Sequence, residues 1–421
     1  KVDKNGNILN YEVAIKDLYP GDITKDQNGS TLEGTTDAPY QINCIEDLVA
    51  FSNMVNNTGK MFKDGKIVDV DKAYTMAEKY IVLTKDLNFK SKTSYVDSQR
   101  TDFGDINGIS DDGNTLMNEL TTGTGFNPIG NNANNAYKYF EGMFDGNNHK
   151  IENLYENQKI TSGFFGSVRK STIKNLEIAS GQINTSNLAG GIVGYLNYDS
   201  YIYNCKNNAS INGKTSGGIA GQAFNATIEN CENTASVKGE SAGGIAGYEY
   251  ASSVKIINSY NLGDIEGQVY AGGIFGNTTA GSLTIYNSYN RGDIVSTYND
   301  NSTVAYGAGG ILGFKYHTTK TQIINCVNMG KITNNTHKGG IIGFNWVPSS
   351  TPEVINCFYK KDNGIKGESN NNNSQAIEFD NNQEEVIQKL NNYITEMSGE
   401  IDTTNWKKWK LGEENYLTFE Q

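Results

Sequence analysis

Asp264 and Asp293 are the residues of this 421-residue chain whose type and spacing best suit acid–base chemistry. They fall at equivalent places in successive copies of an internal repeat, and Lys331 takes the same place in the next copy. Copies stacked as neighbouring β-strands would bring the two carboxylates to about 5 Å. At that separation one acid can protonate a leaving group while the other attacks as a nucleophile. Arg291, Tyr260 and Tyr289 are the side chains at hand to complete such a site. Ser210 and Ser236 hold the place in earlier copies, so the plainer reading is an outward polar ladder in which Lys331 relieves repulsion between the acids. Arg291-Gly292-Asp293 also spells the integrin-binding tripeptide. It keeps register with Leu262-Gly263-Asp264 and Met329-Gly330-Lys331 on a strand, and repeat geometry accounts for it.

Other chemistry is sparser. Asp105-Ile106-Asn107-Gly108 with Asp111-Asp112-Gly113-Asn114 has the oxygen-rich, Gly-punctuated character of a calcium loop. It lacks EF-hand spacing and a closing Glu, so the expectation is a solvated loop, no resident metal or other cofactor, and Ca²⁺ as the alternative. His149, His317 and His337 are the only histidines, and none has a second His at helical spacing for zinc. Cys205, Cys231, Cys326 and Cys357 share one repeat position with Ser259 and Ser288. A small inward residue fits there, so inert buried thiols are expected, with disulfides between neighbouring coils as the alternative. One copy is lengthened by the insertion 296–308, where Tyr298, Asp300, Asn301 and Tyr306 could rim a protruding ligand surface.

The repeat that positions these residues is plain. Gly190-Gly191-Ile192-Val193-Gly194 recurs at 217–221, 243–247, 272–276, 309–313 and 339–343, after a degenerate copy at 163–166. In step with it, Asn204, Asn230, Asn258, Asn287, Asn325 and Asn356 each close a short β-branched run. Another Asn follows three residues later at 207, 233, 261, 290 and 328. Each unit has room for about three short strands and no helix. Such a unit cannot bury an apolar face alone and must stack on its copies. The expected fold is all-β: a right-handed parallel β-helix of eight or so coils, on the order of 40 Å long. Stacked Asn tolerates left-handed backbone angles and can bond amide to amide along the rod.

Composition agrees. Hydrophobic residues make up 37% and charged ones 19%, with 47 Gly and 5 Pro, a balance that favours strands and tight turns over solvated helices. A net charge of −12 argues against a nucleic-acid partner, and no apolar run is long enough to span a membrane. The segment Ile45–Val55 carries a helical apolar face that could plug one end of the rod, and residues 384–394 form an amphipathic helix near the other. The expected division is an extended segment at 1–39, an N-terminal cap with first coils at 40–152 interrupted by an insertion at 91–125, the repeat β-helix at 153–361, and a linker, helix and cap at 362–421.

The Gly-Gly-Ile-x-Gly copies resemble the GLUG repeat of bacterial surface proteins. That repeat occurs in the N-terminal, non-catalytic region of immunoglobulin-A-cleaving metalloproteases and in related large adhesin-like proteins. Tyr40-Gln41-Ile42 with Glu46–Ser52, and Phe126-Asn127-Pro128-Ile129-Gly130 followed by Phe140–Leu154, are similar to the lead-in of that family. Trp409-Lys410-Leu411-Gly412 with Tyr416-Leu417 resembles its closing segment, without the usual Pro after the Tyr. The metalloproteases carry a His-Glu-x-x-His helix, which this chain does not contain. The resemblance implies an extracellular region, on the bacterial cell surface or secreted, that belongs to a larger multidomain protein and acts as an adhesive or spacer element toward a host protein or glycan. The rival readings are a polysaccharide lyase or glycoside hydrolase using Asp264 and Asp293, and an accessory region that positions substrate for a metalloprotease.

Overall fold

The computed structural model describes residues 22–26, 29–63, 66–90, 123–133, 136–297, 306–317, 320–333, 337–347, 350–361, 365–369 and 375–420. Within them the chain is a parallel β-solenoid of about seven turns. One flank is a ten-stranded parallel sheet in which every strand is one pass of the chain, taken in sequence order from Leu87–Asn88 to Ile377–Phe379. Seven of those strands follow a copy of the Gly-rich motif, from Glu177–Ile178 to Phe358–Lys360. A 26-stranded sheet wraps the remaining sides. The antiparallel strand pairs are hairpins outside the rod: Lys60–Lys63 with Lys66–Asp69, and Trp409–Leu411 with Leu417–Phe419.

Sequence dictates the coil in three ways. Ile192, Ile219, Ile245, Ile274, Ile311 and Ile341, the third residue of each motif, point into the bore and are fully buried. Asn204, Asn230, Asn258, Asn287, Asn325 and Asn356 turn the corner with φ between 46° and 59°, a conformation Asn adopts at less cost than other side-chain-bearing residues. The second Asn row lies inside. Asn207 Nδ2 donates to Asn233 Oδ1 (2.8 Å), Asn233 to Asn261 (2.7 Å), Asn261 to Asn290 (2.7 Å) and Asn290 to Asn328 (2.9 Å). Each of these amides also donates to the carbonyl two residues on, such as Asn261 to Gly263 O at 2.6 Å. Both amide hydrogens are thereby used, as a polar row in a dry bore requires.

The ends differ from one another. Helix α1, Ile45–Asn56, is buried on every side rather than along one face, with Phe51 packed against Phe140 and Phe144 of the bore. Helix α2, Gln383–Glu396, and the final hairpin lie against the flank of the rod instead of across its end. There Val386, Leu390, Trp406, Trp409 and Phe419 form a second apolar core with Tyr289, Val327 and Phe358 of the ten-stranded sheet. The outward row of that sheet explains the placement. It runs Lys150, Glu177, Lys206, Glu232 and then Tyr260, Tyr289, Val327, Phe358, so only its later half offers apolar surface to cover.

Candidate functional site

The two aspartates stand in neighbouring coils on an open, exposed surface. Asp293 N–H donates to Asp264 Oδ1 at 3.0 Å, and Lys331 N–H donates to Asp293 Oδ1 at 2.9 Å. Each carboxylate therefore ties its own coil to the backbone of the next, the work expected of a polar ladder. Arg291 does not join them. Its guanidinium lies 3.9 Å above the ring of Tyr416 in the C-terminal hairpin region. Arg291-Gly292-Asp293 sits in a bend between the strands Tyr289–Asn290 and Ile294–Ser296 rather than on a strand.

Other candidates are placed as follows. Asp105, Asn107, Asp111 and Asp112 lie outside the described residues, as do Tyr298, Asp300 and Asn301. Tyr306 is described and is only 3% exposed, its ring 4.8 Å from that of His337, so it lies beneath the surface rather than on a rim. His149 Nδ1 is 3.0 Å from Asp86 Oδ1, a link between adjacent passes. All five cysteines are free and buried, and burial pushes the Cys205 and Cys326 thiols well above their usual range. Among the described residues no three His, Cys, Asp or Glu side chains are grouped to hold a metal ion.

The corner Asn row forms two stacks rather than one. Asn204 Nδ2 donates to Asn175 Oδ1, and Asn175 to Asp145. Downstream, Asn356 donates to Asn325, Asn325 to Asn287 and Asn287 to Asn258. Asn230 separates the stacks, its Oδ1 buried without a donor.

The surface feature that sequence inspection missed is a band of aromatic rings. The residues directly after each Gly-Gly-Ile-x-Gly form a column in register, Tyr195, Gln222, Tyr248, Asn277, Phe314 and Phe344, in which Asn277 and Phe314 are covered and the other four are half-buried. Two positions further on come Asn197, Phe224, Tyr250, Thr279, Tyr316 and Trp346. Tyr137 and Tyr139 stack at 5.5 Å, and Tyr137 meets Tyr195 at 5.5 Å. At the other end Tyr270 packs on Phe314 at 4.7 Å and Tyr316 on Trp346 at 6.0 Å. Tyr137 (42%), Tyr198 (46%), Tyr250 (57%) and Trp346 (40%) are well exposed. Burial and neighbouring tyrosines push the Tyr195 hydroxyl up to about 12, so it stays a neutral hydrogen-bonding tip at any physiological pH. Part of the signal was present in the sequence: four of the six residues one past a motif, Tyr195, Tyr248, Phe314 and Phe344, are aromatic.

The column between these two points inward, and its chemistry changes along the rod. Leu196 and Ala223 give way to Glu249, Thr278, Lys315 and Asn345, all buried. Thr278 Oγ1 donates to Glu249, and Lys315 Nζ donates to Ser350 Oγ (3.0 Å), His317 O (3.2 Å) and Asn345 Oδ1 (3.5 Å). Burial lowers the Lys315 ammonium to about 8, opposed by the charge of Glu368. The cluster is sealed inside the coil, where it bears on stability.

Residues 212–238, a stretch that contains Gly217-Gly218-Ile219, match the family model of the GLUG motif. The chain carries a GLUG motif. Two solved structures are similar to this GLUG-bearing chain. A crystal structure from Bacteroides ovatus, described as a "putative immunoglobulin A1 protease", is 19% identical with a TM-score of 0.49, over 96% of this chain and 98% of that one. An IgA1 protease is 14% identical with a TM-score of 0.41, over 76% of this chain and 23% of its own. No curated protein matches the chain significantly.

Proposed function

We propose that this GLUG-bearing solenoid is an adhesive region of an extracellular bacterial protein, on the cell surface or secreted, and that it engages a host protein or glycan along its flank. The aromatic band carries the reading. The exposed rings Tyr137, Tyr198, Tyr250 and Trp346, which border the strands of the large sheet, suit stacking on sugar faces and contact with protein side chains. The acidic pair supports adhesion over hydrolysis, because one oxygen of each carboxylate is committed to the neighbouring backbone.

The test is a binding screen against a glycan array and matrix proteins, with product analysis of each glycan that binds. Wild type is expected to bind without shortening any glycan. Tyr198→Ala, Tyr250→Ala and Trp346→Ala in combination are expected to abolish binding while the melting curve stays in place. Release of shortened sugars that stops in Asp264→Asn/Asp293→Asn would replace the adhesive reading with a polysaccharide-active one. Silence toward every surface would leave a spacer.

A further inference from the structure

The C-terminal segment shows how the corner Asn row can hold another chain. Asn258 Nδ2 donates to Asn405 O at 2.7 Å, and Lys407 N–H returns a bond to Asn258 Oδ1 at 3.1 Å. Asn287 uses one amide hydrogen on Asn258 Oδ1 and the other on Lys407 O, at 2.9 Å. Trp409 Nε1 then donates to Asn287 Oδ1 at 2.7 Å. The contacts to Asn405 and Lys407 are main-chain contacts, made where the chain leaves the turn at Thr404–Asn405 and runs on toward the strand Trp409–Leu411, so the row reads backbone and is largely indifferent to side chains.

The covered stretch stops at Asn258. Upstream, Asn175, Asn204 and Asn230 turn the same corner with φ of 52°, 52° and 55°. They border a cavity of about 230 Å³ that also reaches Lys407, so it continues the line of the docked segment. Their bonding is incomplete in a way that matches. Asn204 spends one amide hydrogen on Asn175, as Asn287 does on Asn258, but no carbonyl among the described residues takes the second. Asn230 enters neither stack and its Oδ1 has no donor. Among the described residues no bond holds that amide in place, so rotation about its last torsion can present it to a ligand.

We propose that the groove over Asn175, Asn204 and Asn230 binds an extended polypeptide segment, held by main-chain hydrogen bonds and running in line with residues 405–409. The proposal deepens the adhesive reading by naming an extended polypeptide as the partner class at this surface. Three coils span about 14 Å, which takes four or five extended residues. The walls favour polar side chains on the partner, because Glu177, Lys206 and Glu232 replace the aromatic and apolar residues found beneath the C-terminal hairpin.

The probe is a synthetic peptide, capped at both ends, that copies Thr404–Lys410 and is offered to the whole chain. Saturable one-to-one binding is expected, with hydrogen-exchange protection at residues 204–206 and 229–232. Methylating the peptide nitrogen equivalent to that of Lys407 is expected to weaken binding about tenfold or more, as is Asn204→Ala, while the melting temperature of that variant stays near wild type. Failure to bind at millimolar peptide would overturn the proposal, and so would equal binding of the methylated peptide. Faster exchange in residues 405–409 would also overturn it, because the peptide would then be displacing the hairpin segment. A chain that takes the peptide but no host surface keeps the groove and loses adhesion. A chain whose host binding ignores Asn204→Ala and whose peptide binding fails keeps adhesion and loses the groove.

Discussion

Asn233 fills the space that a β-carbon on Gly218 would need: its Cγ lies 2.3 Å from where that atom would stand. The same relationship joins Gly191 to Asn207, Gly244 to Asn261, Gly273 to Asn290 and Gly310 to Asn328, at 2.3–2.5 Å. The second glycine of the motif and the second Asn of the unit are therefore one device. The glycine leaves the bore open so that an amide can lie across it and bond to the coils on either side.

Gly218→Ala tests this device. The new methyl group would meet Asn233 and also Gly244 O, 2.2 Å away, and a backbone carbonyl between two coils has little freedom to retreat. A loss of about 1–3 kcal/mol is expected in urea unfolding. An unchanged midpoint would mean that the amide row can shift and is not close-packed.

Asn261→Leu removes the middle of the buried row. Gly263 O and Asn290 Oδ1 lose a donor, and Asn233 Nδ2 loses an acceptor, all out of reach of water. Each stranded group costs about 1–3 kcal/mol, so the variant is expected to melt well below wild type or to unfold locally around that coil. Hydrogen exchange at residues 233–263 distinguishes these two results.

Asp264→Asn/Asp293→Asn is expected to change stability by less than about 0.5 kcal/mol, because an amide oxygen can accept the same backbone N–H. Thermal melts of the double variant and of Asp293→Ala separate the acceptor role from the charge. Only the alanine should cost anything measurable.

Lys315 gives stability a pH dependence of definite sign. Its ammonium is lowered to about 8 in the folded chain from an ordinary 10.5, chiefly by burial. Between those values the unfolded chain binds more protons than the folded one, so stability rises with pH across the window and is flat for this group below it. Urea midpoints at pH 7.5 and 9.5 should show that rise in wild type and lose it in Lys315→Met. Comparing the two chains cancels the titration of the many tyrosines.

The coil was legible because its determinants recur at a visible interval: the bore isoleucines, the paired glycines and the two Asn rows all repeat in step with the motif. What escaped notice lies along the rod rather than along the chain. The apolar footprint for the final hairpin is built from Tyr260, Tyr289, Val327 and Phe358, one residue per turn, and no local window holds two of them. The aromatic column was hidden for the same reason, although each member directly follows a motif. An insertion suggests protrusion, which makes Tyr306 a candidate for a rim, yet it lies at the point where the chain re-enters the sheet, just before the strand Gly307–Gly309, and its ring packs inward on His337. The inward column from Glu249 to Asn345 is likewise spread over four coils, one polar residue per turn, beside the bore isoleucines Ile274, Ile311 and Ile341.

The buried amide row has a beginning and an end. It starts against Ile178, which pairs with Asn207, and stops at Tyr359, which pairs with Asn328 and whose ring fills the space beside Gly340. Every copy between them presents the same donor above and the same acceptor below. A gene duplication that adds one such copy in the middle would be accepted by both neighbours and would lengthen the rod by about 4.8 Å. The same copy placed beyond Tyr359 would find no amide to join. Length in this architecture can thus be counted out in whole turns, with two apolar residues marking where the counting starts and stops.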